Sequence, residues 1–139
     1  MFKLIKIVGA RTNVPEPVYL ECDGVTPYKK GAAYYVFSGM ITTIPSENEN
    51  TPDIKFIPLE TLERNSGKKK VCGFFVNENM IFEADLNGDA SDISVGDCLC
   101  FYPDTEGENT AVDSAIGFDA RLIDKTSTPE GKVLVALKY

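Results

Sequence analysis

The sequence predicts an all-β domain: a compact barrel or sandwich of about eight to ten short antiparallel strands, with at most one short helix. Three observations lead there. Turn signals recur roughly 8–15 residues apart, a spacing that suits sandwiches and barrels better than β-α-β units. The runs between them are rich in aromatic and β-branched residues, which fit a pleated, half-buried surface. The last run alternates with period two: Val133, Val135, Leu137 and Tyr139 share one face, and Lys132, Leu134, Ala136 and Lys138 share a mixed one.

In chain order, Phe2 to Val8 opens the fold. Val18 to Cys22 follows Pro15-Glu16-Pro17, which forces an extended approach. Ala32 to Phe37 and Met40 to Ile44 flank Ser38-Gly39 and read as a hairpin. Ile54 to Pro58 is bracketed by prolines, so it is expected at a sheet edge. The helical candidate is Pro58 to Asn65, where Leu59, Leu62 and Glu63 have helical spacing and Ser66-Gly67 supplies a stop. Val71 to Val76 and Met80 to Ala84 flank Asn77-Glu78-Asn79, the loop of a second expected hairpin. Asp97 to Tyr102 enters from Val95-Gly96, and Phe118 to Asp124 pairs with Lys132 to Leu137 as the last hairpin. The polar stretches Pro45 to Asp53 and Pro103 to Asn109 are expected to project into solvent.

A chain of 139 residues suits one domain, here 1–139, and buries roughly two-thirds of its unfolded surface, enough for a core without staples. Hydrophobic residues make up 43% and charged ones 25%, the balance of a globular protein. A net charge of −7 repels phosphate backbones, so no nucleic-acid partner is expected. Lys68-Lys69-Lys70 reads as solvated charge at a strand start. No run approaches the roughly 20 apolar residues of a membrane span, so no membrane partner is expected either. Lysines interrupt the apolar residues of Met1 to Val8, which therefore reads as a first strand rather than a secretory signal.

The chain has no histidine, which removes Ser-His-Asp and Cys-His catalysis and histidine metal sites. Gly67-Lys68-Lys69-Lys70 lacks the first glycine and the hydroxyl residue of a phosphate loop. Cys22, Cys72, Cys98 and Cys100 lack the paired spacing of a zinc site and read as reduced thiols serving as small hydrophobes. Asp85, Asn87 and Asp89 have the alternate spacing that opens a calcium loop, but Ala90 stands where glycine is required and Gly96 where a bidentate Glu is required. Residues 85–92 are therefore expected to form an Asn-Gly turn with Asx hydrogen bonds. The sum is a binding or structural protein, not an enzyme, with no cofactor and no metal.

Several phrases together resemble the head decoration, or capsid-stabilising, proteins of tailed bacteriophages. They are Thr12-Asn13-Val14-Pro15-Glu16-Pro17, Tyr28-Lys29-Lys30-Gly31-Ala32, Asn79-Met80-Ile81-Phe82-Glu83, Ile93-Ser94-Val95-Gly96-Asp97 and the closing Gly131-Lys132-Val133-Leu134-Val135. They span nearly the whole chain in order, whereas residues 46–53 and 104–113 and the cysteines lie outside the pattern. The resemblance implies a small β protein made in the bacterial cytoplasm and carried on the capsid exterior. Its partners would be the major capsid protein and copies of itself, often as trimers, joined through many copies of a modest interface. It also suggests that the proline-stiffened segment Thr12, Asn13, Val14, Pro15, Glu16, Pro17 touches the capsid or a neighbouring subunit; the alternative is a plain linker between the first two strands. Two other readings stay open. One is a phage tail or connector barrel. The other is a carbohydrate-binding or adhesion module, against which the absence of Trp and the incomplete calcium loop both count.

Overall fold

The computed structural model describes residues 1–45, 54–126 and 128–137, and the regular structure in these is almost entirely β. They form eleven strands: β1 (Lys3–Ile7), β2 (Val18–Glu21), β3 (Tyr34–Phe37), β4 (Met40–Thr42), β5 (Ile54–Pro58), β6 (Lys70–Phe75), β7 (Met80–Asn87), β8 (Cys98–Pro103), β9 (Asn109–Ile116), β10 (Ala120–Asp124) and β11 (Lys132–Leu137). A single 3-10 turn, Ala90–Asp92, sits between β7 and β8.

The strands divide into two sheets. The first has the order β1-β7-β11-β10-β8-β9, and β9 also pairs with β7, so β7, β11, β10, β8 and β9 close into a five-stranded barrel. Closure depends on the length of β7. One edge of β7 pairs with β11; the other is shared between β1, opposite Met80 to Glu83, and β9, opposite Asp85 to Asn87. The β7–β9 pairing is parallel, and every other strand pairing is antiparallel. The second sheet, β2-β6-β5-β3-β4, stays open.

One core joins the two sheets. Phe82, Leu99, Val112, Leu122, Val133, Val135 and Leu137 from the barrel pack with Tyr35, Ile57, Phe74 and Val76 from the open sheet. Phe82 stacks on Phe74 across the junction with ring centroids 6.3 Å apart, and Phe2 meets both Phe82 and Phe101 edge-on. Burying each large side chain contributes about 1.5–3 kcal/mol. The far face of the open sheet is covered by a smaller cluster of Tyr28, Ala32, Tyr34, Phe56, Leu62 and Val71.

The first and last hairpins form as the sequence predicts. Ser38 and Gly39 both have positive φ, the twist that a two-residue hairpin loop requires, and Val36 faces Ile41. In β11, Val133, Val135 and Leu137 are buried. Lys138 and Tyr139, like residues 46–53, lie outside the described residues.

Five expectations are corrected. First, β5 is not an edge strand, for it lies between β3 and β6. Pro58 is its last residue, so the missing N–H weakens only the terminal rung, and Gly73 of β6 lets the strands close up because a Cβ there would come 2.5 Å from the Ile57 carbonyl oxygen. Second, β6 and β7 are not a hairpin. Val76 continues along β5 through a 2.9 Å hydrogen bond to the Lys55 carbonyl, and the chain then crosses to the barrel. Third, Pro58 to Asn65 is not helical: Leu62 exchanges both backbone hydrogen bonds with Tyr28 at 2.9 Å and buries its side chain. Fourth, Pro103 to Asn109 does not simply project into solvent: Pro103 ends β8, Asn109 opens β9, and Glu108 and Asn109 are buried. Fifth, Phe118 precedes β10 rather than opening it.

Candidate contact surfaces

The segment Thr12 to Pro17 folds back on its own chain. Gly9, at φ +80°, turns the backbone after β1, and the Asn13 Oδ1 then accepts a 3.1 Å hydrogen bond from the Ile7 N–H. This places Asn13, Val14 and Pro15 in the lining of a groove of about 250 Å³. Phe2, Leu4, Leu59 and Phe74 line the same groove. The groove is predominantly apolar, Val14 is 76% exposed, and Lys3 and Lys30 are among the residues that line it. Thr12, Glu16 and Pro17 are exposed and do not line it.

A second surface lies at the turn between β9 and β10, where Ile116 is 86% and Phe118 83% exposed. The turn is anchored at three points. The Gly117 N–H donates to the Cys98 carbonyl at 2.9 Å. Any Cβ at Gly117 would come 2.5 Å from the Cys100 Cβ, so the turn lies flat on β8. The Asp119 carboxylate accepts from the Tyr35 hydroxyl at 2.5 Å and from the Phe101 N–H at 2.9 Å. A rigid mount thus holds two large apolar side chains in water. Sequence reading missed this surface because Phe118 resembles a strand residue; the available signal was Gly117 between two large apolar residues.

A buried polar cluster ties the β8–β9 loop to the open sheet. The Tyr34 hydroxyl donates to Glu108, and it accepts from the Lys29 N–H at 2.8 Å. Asn109 Nδ2 donates to the carbonyls of Ala33 and Thr43 at 3.3 and 3.1 Å. Burial raises the Glu108 pKa, and the Tyr34 hydrogen bond only partly opposes it. At Asp104 burial also acts upward, but the Lys29 ammonium at 2.9 Å and the N–H groups of Glu108 and Glu106 outweigh it, so that carboxyl ends below its ordinary value. Burial and the Glu108 hydrogen bond together push the Tyr34 hydroxyl far above its ordinary value.

The calcium-like stretch is arranged differently from the expected turn. Asp85 and Asn87 are still within β7, and Asp85 faces Lys132 at 2.7 Å and the N-terminal amine at 3.2 Å. Asp89 caps the 3-10 turn by accepting from the Ser91 N–H at 2.9 Å. Among the described residues no group of three or more acidic or cysteine side chains is placed to hold a metal ion. The four cysteines are free but half-buried rather than fully buried, and burial raises the Cys100 thiol pKa. No helix among the described residues is long and apolar enough to cross a membrane. No family model, curated protein or solved structure matches the chain.

Proposed function

We propose that the chain is a structural virion protein that decorates the outside of a tailed-phage head and stabilises it by binding the lattice of major capsid protein. The observation that carries this reading is the mounted pair Ile116 and Phe118: a solvent-facing apolar contact held rigid by Asp119 and Gly117. An enzyme would instead converge polar groups inside a cavity. The sequence resemblance supports the same assignment, and the net charge of −7 suits a protein facing solvent outside a packaged genome. A rigid turn loses little entropy on docking, and many copies of a modest contact then add up over a lattice.

The test compares particles with and without the protein at fixed salt. The purified chain is expected to bind assembled capsids but not free capsid subunits, because a cementing surface exists only where capsomers meet. Bound particles should release DNA at a higher temperature, since a ligand of the assembled state stabilises it by mass action. Particles that lack the protein and survive heating equally well would defeat the stabilising role. Finding the chain in the tail or inside the head would defeat the assignment.

A further inference from the structure

We infer that the groove lined by Phe2, Val14 and Leu59 is a docking site for an extended, acidic segment of another protein. It takes one large apolar side chain of that segment, and Lys3 and Lys30 pair with carboxylates on either side of it. The inference goes beyond the virion reading and stands apart from it, because the groove shares no residue with the Ile116–Phe118 turn.

Charge is the first argument. The chain has twenty-one acids and fourteen bases, yet two lysines and no acid line the groove. The bias extends around it. Residues 1–15 carry Lys3, Lys6 and Arg11 and no acid, so the other 124 residues hold eleven bases against twenty-one acids, a net charge of −10. Among the described residues, Lys3, Lys6, Arg11 and Lys30 have no carboxylate within salt-bridge distance. Even Glu83, which faces Lys3 in the β1–β7 register, stays beyond it. On a surface of the opposite net sign, such cations steer an acidic partner to this place and fix its orientation.

Size is the second argument. A dry cavity of about 150 Å³ accepts a benzene molecule, so a groove of about 250 Å³ holds one leucine or phenylalanine side chain. Sites for whole small molecules run to roughly 300–1,000 Å³ and enclose most of the ligand. This groove is smaller, and it leaves Val14 76% exposed. It therefore suits an anchor carried on a longer chain better than a self-contained ligand. Its place in the fold is the third argument. Met1 to Leu4, which line it, include the start of β1, and β1 ends its sheet, so one edge of β1 has no strand neighbour. The chain itself holds the two ends: the Phe2 N–H donates to the Gly31 carbonyl at 2.8 Å, and the Ile7 N–H to Asn13 at 3.1 Å. A terminal strand beside an apolar groove is the setting in which an extended segment adds to a sheet and seats a side chain.

The probe is a short blocked peptide with a central phenylalanine between two pairs of glutamates, tested beside its leucine, isoleucine and methionine versions. In titrations followed by amide chemical shifts at low salt, at least one should bind saturably, with shifts centred on residues 2–4, 13–15 and 30–31. Replacing its apolar residue by serine, or its glutamates by lysines, should abolish binding. Added salt should weaken it several-fold, because the screening length falls from about 10 Å at 0.1 M to about 3 Å at 1 M. On the protein, Val14→Asp should abolish binding, and Lys30→Glu should weaken it about tenfold by setting a carboxylate against the peptide's own. Both positions are exposed, so melting temperatures should stay near wild type. The inference falls if no acidic peptide binds, if the lysine peptide binds as well as its glutamate counterpart, or if Val14→Asp leaves binding unchanged. Decanoate that shifts the same residues when the peptides do not would overturn it in favour of a small amphiphile. Self-association that Val14→Asp abolishes, without peptide binding, would overturn it in favour of a second copy. Capsid binding is read in a separate assay, so the failure of either reading leaves the other standing.

Discussion

The closed barrel and the open sheet share a core but solve the edge problem differently. In the barrel, each of the five strands has neighbours on both sides, so no row of backbone donors and acceptors is left for another chain. The open sheet ends at β2 and β4, which are only four and three residues long. Short edges limit unwanted pairing. Closure leaves the barrel's loops as the places where contact chemistry can stand out, and the exposed turn at Ile116 is one of them. The open sheet depends on covering elements instead: the barrel on one face, and Tyr28 and Leu62 on the other. The barrel is thus self-contained, and the sheet is held by what packs on it.

That contrast can be broken or sharpened experimentally. The largest effect is expected for Phe82→Ala, which removes the ring at the junction and should cost about 3–5 kcal/mol. Urea unfolding should still show one transition for both sheets. Two separated transitions would mean that the sheets do not share one core. Next comes Gly73→Ala, confined to the open sheet, where the new methyl group collides with Phe56 and the Ile57 carbonyl. It should cost about 1–3 kcal/mol, read as a lowered denaturant midpoint at unchanged slope. A neutral result would show that β5 and β6 can separate without loss.

Titration should distinguish by sign the barrel's junction with the open sheet, at Glu108, from its own strand pairing, at Asp85. The Glu108 pKa is raised in the folded state, so its favourable contribution is fully present below the unfolded carboxyl value and is lost as pH rises through the folded one. Glu108→Gln, which mimics the protonated form, should therefore gain on wild type as pH rises from 4 to 7. A constant gap across that range would remove the buried carboxylate as the cause. The Asp85 pKa is lowered, chiefly by the Lys132 hydrogen bond, so its contribution is present above the unfolded value and lost as pH falls through the folded one. Lys132→Ala should cost less than about 1 kcal/mol, because both partners are partly exposed, and that cost should shrink further in acid and in high salt.

Local chemistry made much of this fold legible. Ser38-Gly39 encodes a hairpin, and the alternation of Val133, Val135 and Leu137 encodes a buried strand face. What the sequence hid depends on distant partners. Strand β9 holds Asn109, Thr110, Asp113 and Ser114 around a single fully buried apolar residue, Val112, so its pattern is polar; it forms because β7 and β8 supply edges on both sides. Leu62 fits a helical spacing, yet Tyr28 captures its backbone. Of the candidate contact segment, Asn13, Val14 and Pro15 line a groove, but the partner walls come from positions up to 74 and no local pattern announces them. The mounted turn was equally hidden, since the exposure of Phe118 depends on where Asp119 finds Tyr35.

The shared edge of β7 also dictates an order of events during synthesis. Lys3 pairs with Glu83, so β1 emerges from the ribosome well before its partner exists. Until then the exposed Lys3 and Lys6 keep an unpaired strand soluble. The barrel cannot close sooner, because its β11 wall is made last and pairs back to β7 across nearly fifty residues. Such long-range pairings put a slow step late in folding. The nascent chain therefore carries an exposed β7 edge from the completion of Asn87 until Lys132 and its strand are made, and that interval is when it is most vulnerable to pairing with a neighbouring nascent chain.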